Sequence, residues 1–232
     1  AGLRGTLGGY LLPGCDHRGY WGKGYGANVA EEHCGAASPE HRESRDSSQQ
    51  IPVEQERTGV ALHTVLKKHW GFTAFRPVQE RVMLQVLNGK DTLALLPTGG
   101  GKSLCFQVPT MVTGKLCLVV SPLIALMKDQ VERLRSKGIA ARAITSDMRW
   151  AEIDNTLESA AVGKLSFLYV SPERLASELF LARLPRMPLG LIAVDEAHCI
   201  SQWGYDFRPS YLKIRQVREQ VPTIPVLALT AS

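Results

Sequence analysis

TLALLPTGGGKS, residues Thr92–Ser103, decides how this 232-residue chain folds. Its first half is apolar, as a buried strand requires, and its second half is a glycine run closed by Lys102 and Ser103 and followed by residues that can open a helix. Strand, glycine turn and helix in that order make a phosphate cradle. Glycines let consecutive N–H groups converge on an anion, and the helix N-terminus adds roughly half a positive charge there. Thr98, Gly99, Gly100 and Gly101 supply that backbone, Lys102 reaches the β- and γ-phosphates, and the Ser103 hydroxyl is the candidate Mg2+ ligand. The expected ligands are ATP and Mg2+. The strict motif spacing asks for glycine at position 96, where this chain has Leu96.

Further along, the apolar run Leu191–Val194 leads straight into Asp195-Glu196-Ala197-His198. A carboxylate at the end of such a strand, beside a phosphate loop, can hold Mg2+ through water, and the adjacent glutamate can orient or deprotonate an attacking water. Asp195 is assigned to the metal and Glu196 to the water. His198 reads as a coupling residue, with an ordinary structural histidine as the alternative. With Lys102 these three complete the candidate catalytic set.

Around these motifs, short apolar runs recur at Leu116–Val120, Ala141–Ile144, Phe167–Val170, Leu191–Asp195 and Val226–Thr230, separated by helical stretches. They lack alternation, as strands covered on both faces do, so the β-α-β-α order predicts an α/β fold with a mostly parallel sheet and helices on both faces. Ligands of such sheets bind at the carboxyl ends of strands, where both motifs fall. Upstream, Val60, Ala61, Val65, Leu66 and Trp70 share a helical face from about Thr58, with Gly71 as the stop. A second helix is expected over Pro77–Leu87, closed by Asn88-Gly89.

The first 56 residues differ in character. Ten of the 21 glycines lie within the first 35 residues, and Ser38–Gln50 is polar without periodicity. Residues 1–56 are expected to be a poorly ordered arm, and 57–232 a single domain. Cys15, His17, His33 and Cys34 in the arm are enough donors for zinc, but their spacing is not that of a usual site, and scattered residues are the preferred reading. The net charge of +5 and pI of 9.0 suit a phosphate-bearing partner without specifying one. An odd count of five cysteines without a C-x-x-C spacing fits an intracellular, reduced protein. No run of eighteen apolar residues or secretory leader is present, so no membrane is expected.

Three further segments carry a family resemblance. LKKHWGFTAFRPVQ (Leu66–Gln79) and CISQWGYDFRPSY (Cys199–Tyr211) resemble RecQ-type DNA helicases, and the TGxGKS loop resembles those of superfamily-two helicases generally. VVSPLIALMKDQV (Val119–Val131), LYVSPERL (Leu168–Leu175) and a terminal LTAS add to the match, which spans about Leu66–Ser232. The resemblance implies a RecA-like P-loop NTPase lobe in which Phe72 stacks on adenine with Arg76 and Gln79 at its edge. It implies an aromatic-rich loop that senses single-stranded DNA and relays that contact to the ATP site. By position, Trp203 and Phe207 stack on bases, Arg208 pairs with phosphate, and Gln202 and Asp206 link the loop to its neighbours. Tyr205 and Ser210 stand where the family commonly has His and Glu, which leaves any coupling role of that histidine without a counterpart. Ser121, Lys128, Gln130, Ser171 and Arg174 are the implied DNA-backbone contacts.

The activity implied is three-prime to five-prime translocation and unwinding of duplex DNA driven by ATP, in DNA repair and recombination, on single-stranded and partially duplex DNA. These residues are expected to be the first lobe only, ending after the third helicase motif, and the resemblance also implies a second RecA-like lobe. That lobe would carry an arginine finger of about 10³–10⁵ in rate, so the fragment alone is expected to hydrolyse ATP very slowly. The competing readings are a non-catalytic ATP- or DNA-binding module and, through the shared acidic motif, a DEAH-type RNA helicase.

Overall fold

The computed structural model describes residues 53–201 and 207–231. Six strands, β1 (Thr92–Leu95), β2 (Leu116–Val120), β3 (Ala141–Ile144), β4 (Phe167–Val170), β5 (Leu189–Val194) and β6 (Val226–Thr230), form one sheet in the order β1-β6-β5-β2-β4-β3. Every pairing is parallel, as the unbroken apolar runs require. All five residues of β2, LCLVV, are buried.

Both faces of the sheet are covered. On one, Leu118, Val120, Ile192 and Val194 pack with Leu157 and Ala160 of α5 (Trp150–Ala161), Phe180 of α6 (Glu178–Arg183) and Ile214 and Val217 of α7 (Ile214–Gln220). On the other, Cys117, Val119, Leu191 and Ala193 pack with Val82 and Val86 of α2 (Pro77–Leu87), Phe106 of α3 (Leu104–Thr113) and Met127 and Leu134 of α4 (Ile124–Ser136). This is the period of two along each strand, sorted into two cores. A smaller cluster of Leu62, Leu66, Met83 and Val108 seats α1 (Val53–Trp70) on α2 and α3.

Four strands and α2 fall where the apolar runs and the Pro77 start place them. Four boundaries differ, among them the end of β5, which stops at Val194 rather than Asp195. β5 begins at Leu189, because the ladder continues through an irregularity between Leu116 and Cys117 where Gly190 runs close to Lys115. Helix α1 starts at Val53, ahead of Thr58. Strand β1 ends at Leu95, although the Leu96 N–H still donates to Thr230 O at 3.0 Å. The arm up to residue 52, with Cys15, His17, His33 and Cys34, lies outside the described residues, as do Gln202, Trp203, Tyr205 and Asp206. Among the described residues no helix is long and apolar enough to cross a membrane, and no group of three or more His, Cys, Asp or Glu is set to hold a metal.

The strand order puts β6 between β1 and β5. The turns that leave the carboxyl ends of β1 and β5 therefore face each other across a single strand, on the order of 10 Å apart by sheet spacing. The turns after β2, β4 and β3 continue the same rim away from them.

Candidate nucleotide site and the adjoining loop

The loop after β1 is built from its backbone. Gly100 N–H turns back on Pro97 O at 2.8 Å, and Leu104 and Cys105 open α3 on the carbonyls of Gly101 (3.1 Å) and Lys102 (3.0 Å). Gly99 and Gly101 stand at φ 74° and 76°, where a Cβ is strained. The N–H groups of Gly99, Gly101, Lys102 and Ser103 meet no acceptor among the described residues. Such a set of donors at a helix N-terminus fits a phosphate.

Arg76 and the first turn of α2 grip this loop from outside. Arg76 Nη1 donates to Gly99 O at 3.0 Å, and Gln79 Nε2 donates to Gly100 O (3.1 Å) and Gly101 O (3.2 Å). The Gln79 Oε1 accepts the Arg76 N–H at 2.9 Å. Both amide hydrogens of Gln79 are thus committed to the loop, and one lone pair of Oε1 remains for an adenine amino group. The donors of this amide therefore serve the loop rather than a base. Gly101 makes room for this contact, since a Cβ there would stand 2.2 Å from Gln79 Nε2. Phe72 is 55% exposed, so its ring is available for stacking.

The turn after β5 is held differently. Asp195 N–H donates to Val120 O at 2.9 Å, its carboxylate Oδ1 accepts the Glu196 N–H at 3.0 Å, and its main-chain carbonyl accepts the Tyr211 hydroxyl at 2.9 Å. Glu196 sits at φ 49°, ψ 48°, and is the one non-glycine residue at positive φ among the described residues. Its carbonyl accepts the Cys199 N–H at 3.0 Å. Burial, and next the charge of Glu196, push the Asp195 carboxyl above its ordinary range, against the Glu196 N–H, Lys102 and His198. A buried carboxylate short of positive charge, with Lys102 near enough to act on it, suits a cation. His198 Nδ1 lies 3.0 Å from Thr230 Oγ1 and 3.3 Å from Glu196 Oε2. Thr230 ends β6, between the two turns.

The remaining candidates spread along the rim. Phe207 and Arg208 are half-buried, and Arg208 Nη1 reaches Pro122 O at 3.4 Å. Ser121 is 1% exposed, with its hydroxyl unpartnered, so it is not placed to touch a DNA backbone. Its position one residue past the fully buried β2 explains this. Gln130 accepts the buried Tyr169 hydroxyl at 3.0 Å, and Lys128 pairs with Asp147 at 2.9 Å. Ser171 and Arg174 flank a short turn after β4, both half-buried. Thr230 and Tyr211 are the site residues that motif reading passes over. Each stood inside a quoted motif, LTAS and DFRPSY, whose order was the only available signal.

Residues 76–232 match the model of the DEAD/DEAH box helicase family. The chain belongs to that family. Among curated proteins, this DEAD/DEAH box lobe is 46% identical over 172 residues to the probable ATP-dependent DNA helicase RecS of Bacillus subtilis, covering 74% of the chain and 34% of the relative. It is 43% identical over 169 residues to the ATP-dependent DNA helicase RecQ of Haemophilus influenzae, covering 73% and 27%. The chain therefore spans about a third or less of these relatives. In fold the lobe is similar to the DUF1998 helicase MrfA, with a TM-score of 0.59 at 18% identity over 75% of this chain and 29% of that one. A hypothetical ATP-dependent RNA helicase from Sulfolobus tokodaii gives 0.53 at 20%, over 77% and 50%.

Proposed function

We propose that this chain is the ATP-binding lobe of a RecQ-type DNA helicase, which hydrolyses ATP to translocate three-prime to five-prime along single-stranded DNA and open duplexes. The supporting observation is the pairing, across β6, of a loop of unsatisfied N–H donors with a buried Asp195–Glu196 turn. Donors and Lys102 suit the phosphates of ATP; Phe72 offers a ring to the base. Ser103 and Asp195 are the residues that would hold Mg2+, which when bound neutralises charge on the β- and γ-phosphates. Glu196 would orient the attacking water and take its proton, and His198 with Thr230 would tie that turn to the end of β6. Phe207 and Arg208 would meet single-stranded DNA beside the turn, by stacking and charge rather than by base edges. Such a protein works where the cell keeps its DNA.

The likeness of the aromatic segment to RecQ weighs against an RNA helicase, and the likeness to RecS and RecQ relatives weighs against a module that only binds. The deciding experiment is ATP hydrolysis by the full-length protein with and without single-stranded DNA, beside Lys102→Ala. DNA-stimulated turnover that falls by about 10²-fold or more in the variant supports the reading. Turnover insensitive to DNA, or to loss of Lys102, sinks it.

A further inference from the structure

We infer that Tyr211 is a positioning residue through which the loop after the acidic motif sets the backbone of Asp195 and Glu196. The inference rests on the nucleotide-hydrolysis reading of that turn and names how it is governed. Its basis is the geometry around one strained residue. A non-glycine side chain at φ 49° is strained and persists only where its surroundings hold it. The two peptides that flank Glu196 are both pinned by their carbonyls. Cys199 N–H holds the Glu196 carbonyl at 3.0 Å, from within the same turn. The Tyr211 hydroxyl holds the Asp195 carbonyl at 2.9 Å, from the far side of the loop.

Tyr211 is a rigid strut for this purpose. It is 1% exposed, its ring lies in the core beneath the sheet, and burial raises its hydroxyl well above the ordinary phenol range, so it remains a donor. Its own backbone is fastened to the loop: Tyr211 N–H donates to Arg208 O at 2.9 Å, and Arg208 N–H donates to Cys199 O at 2.9 Å. Ser210 next to it donates to Glu173 Oε1 at 2.9 Å, which anchors the segment to the turn after β4. A shift of Arg208 is therefore passed by the neighbouring turn to the phenol, and by the phenol to the peptide that fixes φ of Glu196. Loop and carboxylate are joined by a short chain of bonds without a flexible side chain in it.

The experiment uses the full-length protein with Tyr211→Phe, Arg208→Ala and the double variant, measuring kcat and KM for ATP with saturating single-stranded DNA, DNA affinity, and thermal midpoint. Tyr211→Phe keeps the ring and removes only the donor. The expected result is a drop in DNA-stimulated kcat of about fivefold, with KM for ATP and DNA affinity within about twofold, and a double variant no worse than the poorer single one. An unchanged kcat, a drop shared by KM and thermal midpoint, or effects that multiply in the double variant overturn the inference. If Tyr211→Phe itself does not fold, replacement of Tyr211 by 4-aminophenylalanine, a ring of the same reach that keeps a donor, must retain stimulation, and its failure to do so also overturns it. A wild-type protein whose hydrolysis ignores DNA overturns the parent reading, and the inference with it.

Discussion

Two turns face each other across β6, and both place residues in the left-handed region, by opposite means. The phosphate loop does it with glycine, at Gly99 and Gly101, and is steadied from outside by Arg76 and Gln79. The acidic turn does it with Glu196 and is steadied by Cys199 from within and by Tyr211 from the core beneath. On the proposed reading, the difference follows from what each turn would present. A phosphate is met by backbone N–H groups, so a side chain is dispensable and glycine removes the strain. A water to be deprotonated needs a carboxylate, so the side chain stays and hydrogen bonds offset the strain instead. One turn is conformationally cheap and the other is braced.

Glycine exchanged between the two turns should have opposite effects on stability. Glu196→Gly relieves the positive φ and is expected to stabilise the fold by about 1 kcal/mol, while hydrolysis falls by about 10²-fold or more for want of the carboxylate. Thermal unfolding beside single-turnover hydrolysis checks both; a variant less stable than wild type would show that Glu196 is not strained. Gly101→Ala should do the reverse. Alanine there keeps the strain of φ 76° and displaces the Gln79 amide, so a stability loss of about 1–2 kcal/mol and a roughly tenfold weaker nucleotide affinity are expected. Fluorescent-nucleotide titration reads the second, and unaltered binding would break the proposed link between Gln79 and the loop.

The smallest effect tests the electrostatics of the braced turn. The Asp195 carboxyl is held above its ordinary range, so the folded chain binds that proton more tightly than the unfolded one. Its ionisation therefore costs stability progressively as pH rises from the ordinary aspartate range through the raised value, and the cost is constant above it. Asp195→Asn should raise the thermal midpoint by a few degrees at about pH 7.5 and leave it unchanged at about pH 3. Equal midpoints at both values would mean that Asp195 is already compensated without a cation.

Most of the sheet was legible because burial on both faces leaves an unbroken apolar run, and β2, β3, β4 and β6 have the bounds those runs give. Leu189 was not legible as strand, since Pro188 and Gly190 read as punctuation while the ladder crosses them by an irregularity. The loop after β1 was legible as a strand-glycine-helix turn from its context, although Leu96 stands where the strict spacing asks for glycine. What spacing cannot carry is which way a polar group turns. Ser121 reads as a surface hydroxyl and is buried, and Gln79 reads as a base reader and spends its donors on a carbonyl pair. The Tyr211–Asp195 bond crosses 16 residues through two short turns, beyond any local periodicity.

The place of β6 bears on how the lobe is made. Strand β1 pairs only with β6, Thr92 opposite Leu227, and Asp91 is bound by Val226 N–H at 2.8 Å and by Arg218 at 3.0 Å. During synthesis, the phosphate-loop strand must wait, unpaired, until residues 226–230 have left the ribosome and slid between it and β5. Contacts of such long sequence separation form late and slowly. The candidate nucleotide site, though its glycine loop is encoded well before β6, is then assembled only once β6 is in place, and a nucleotide can reward folding only from that point on.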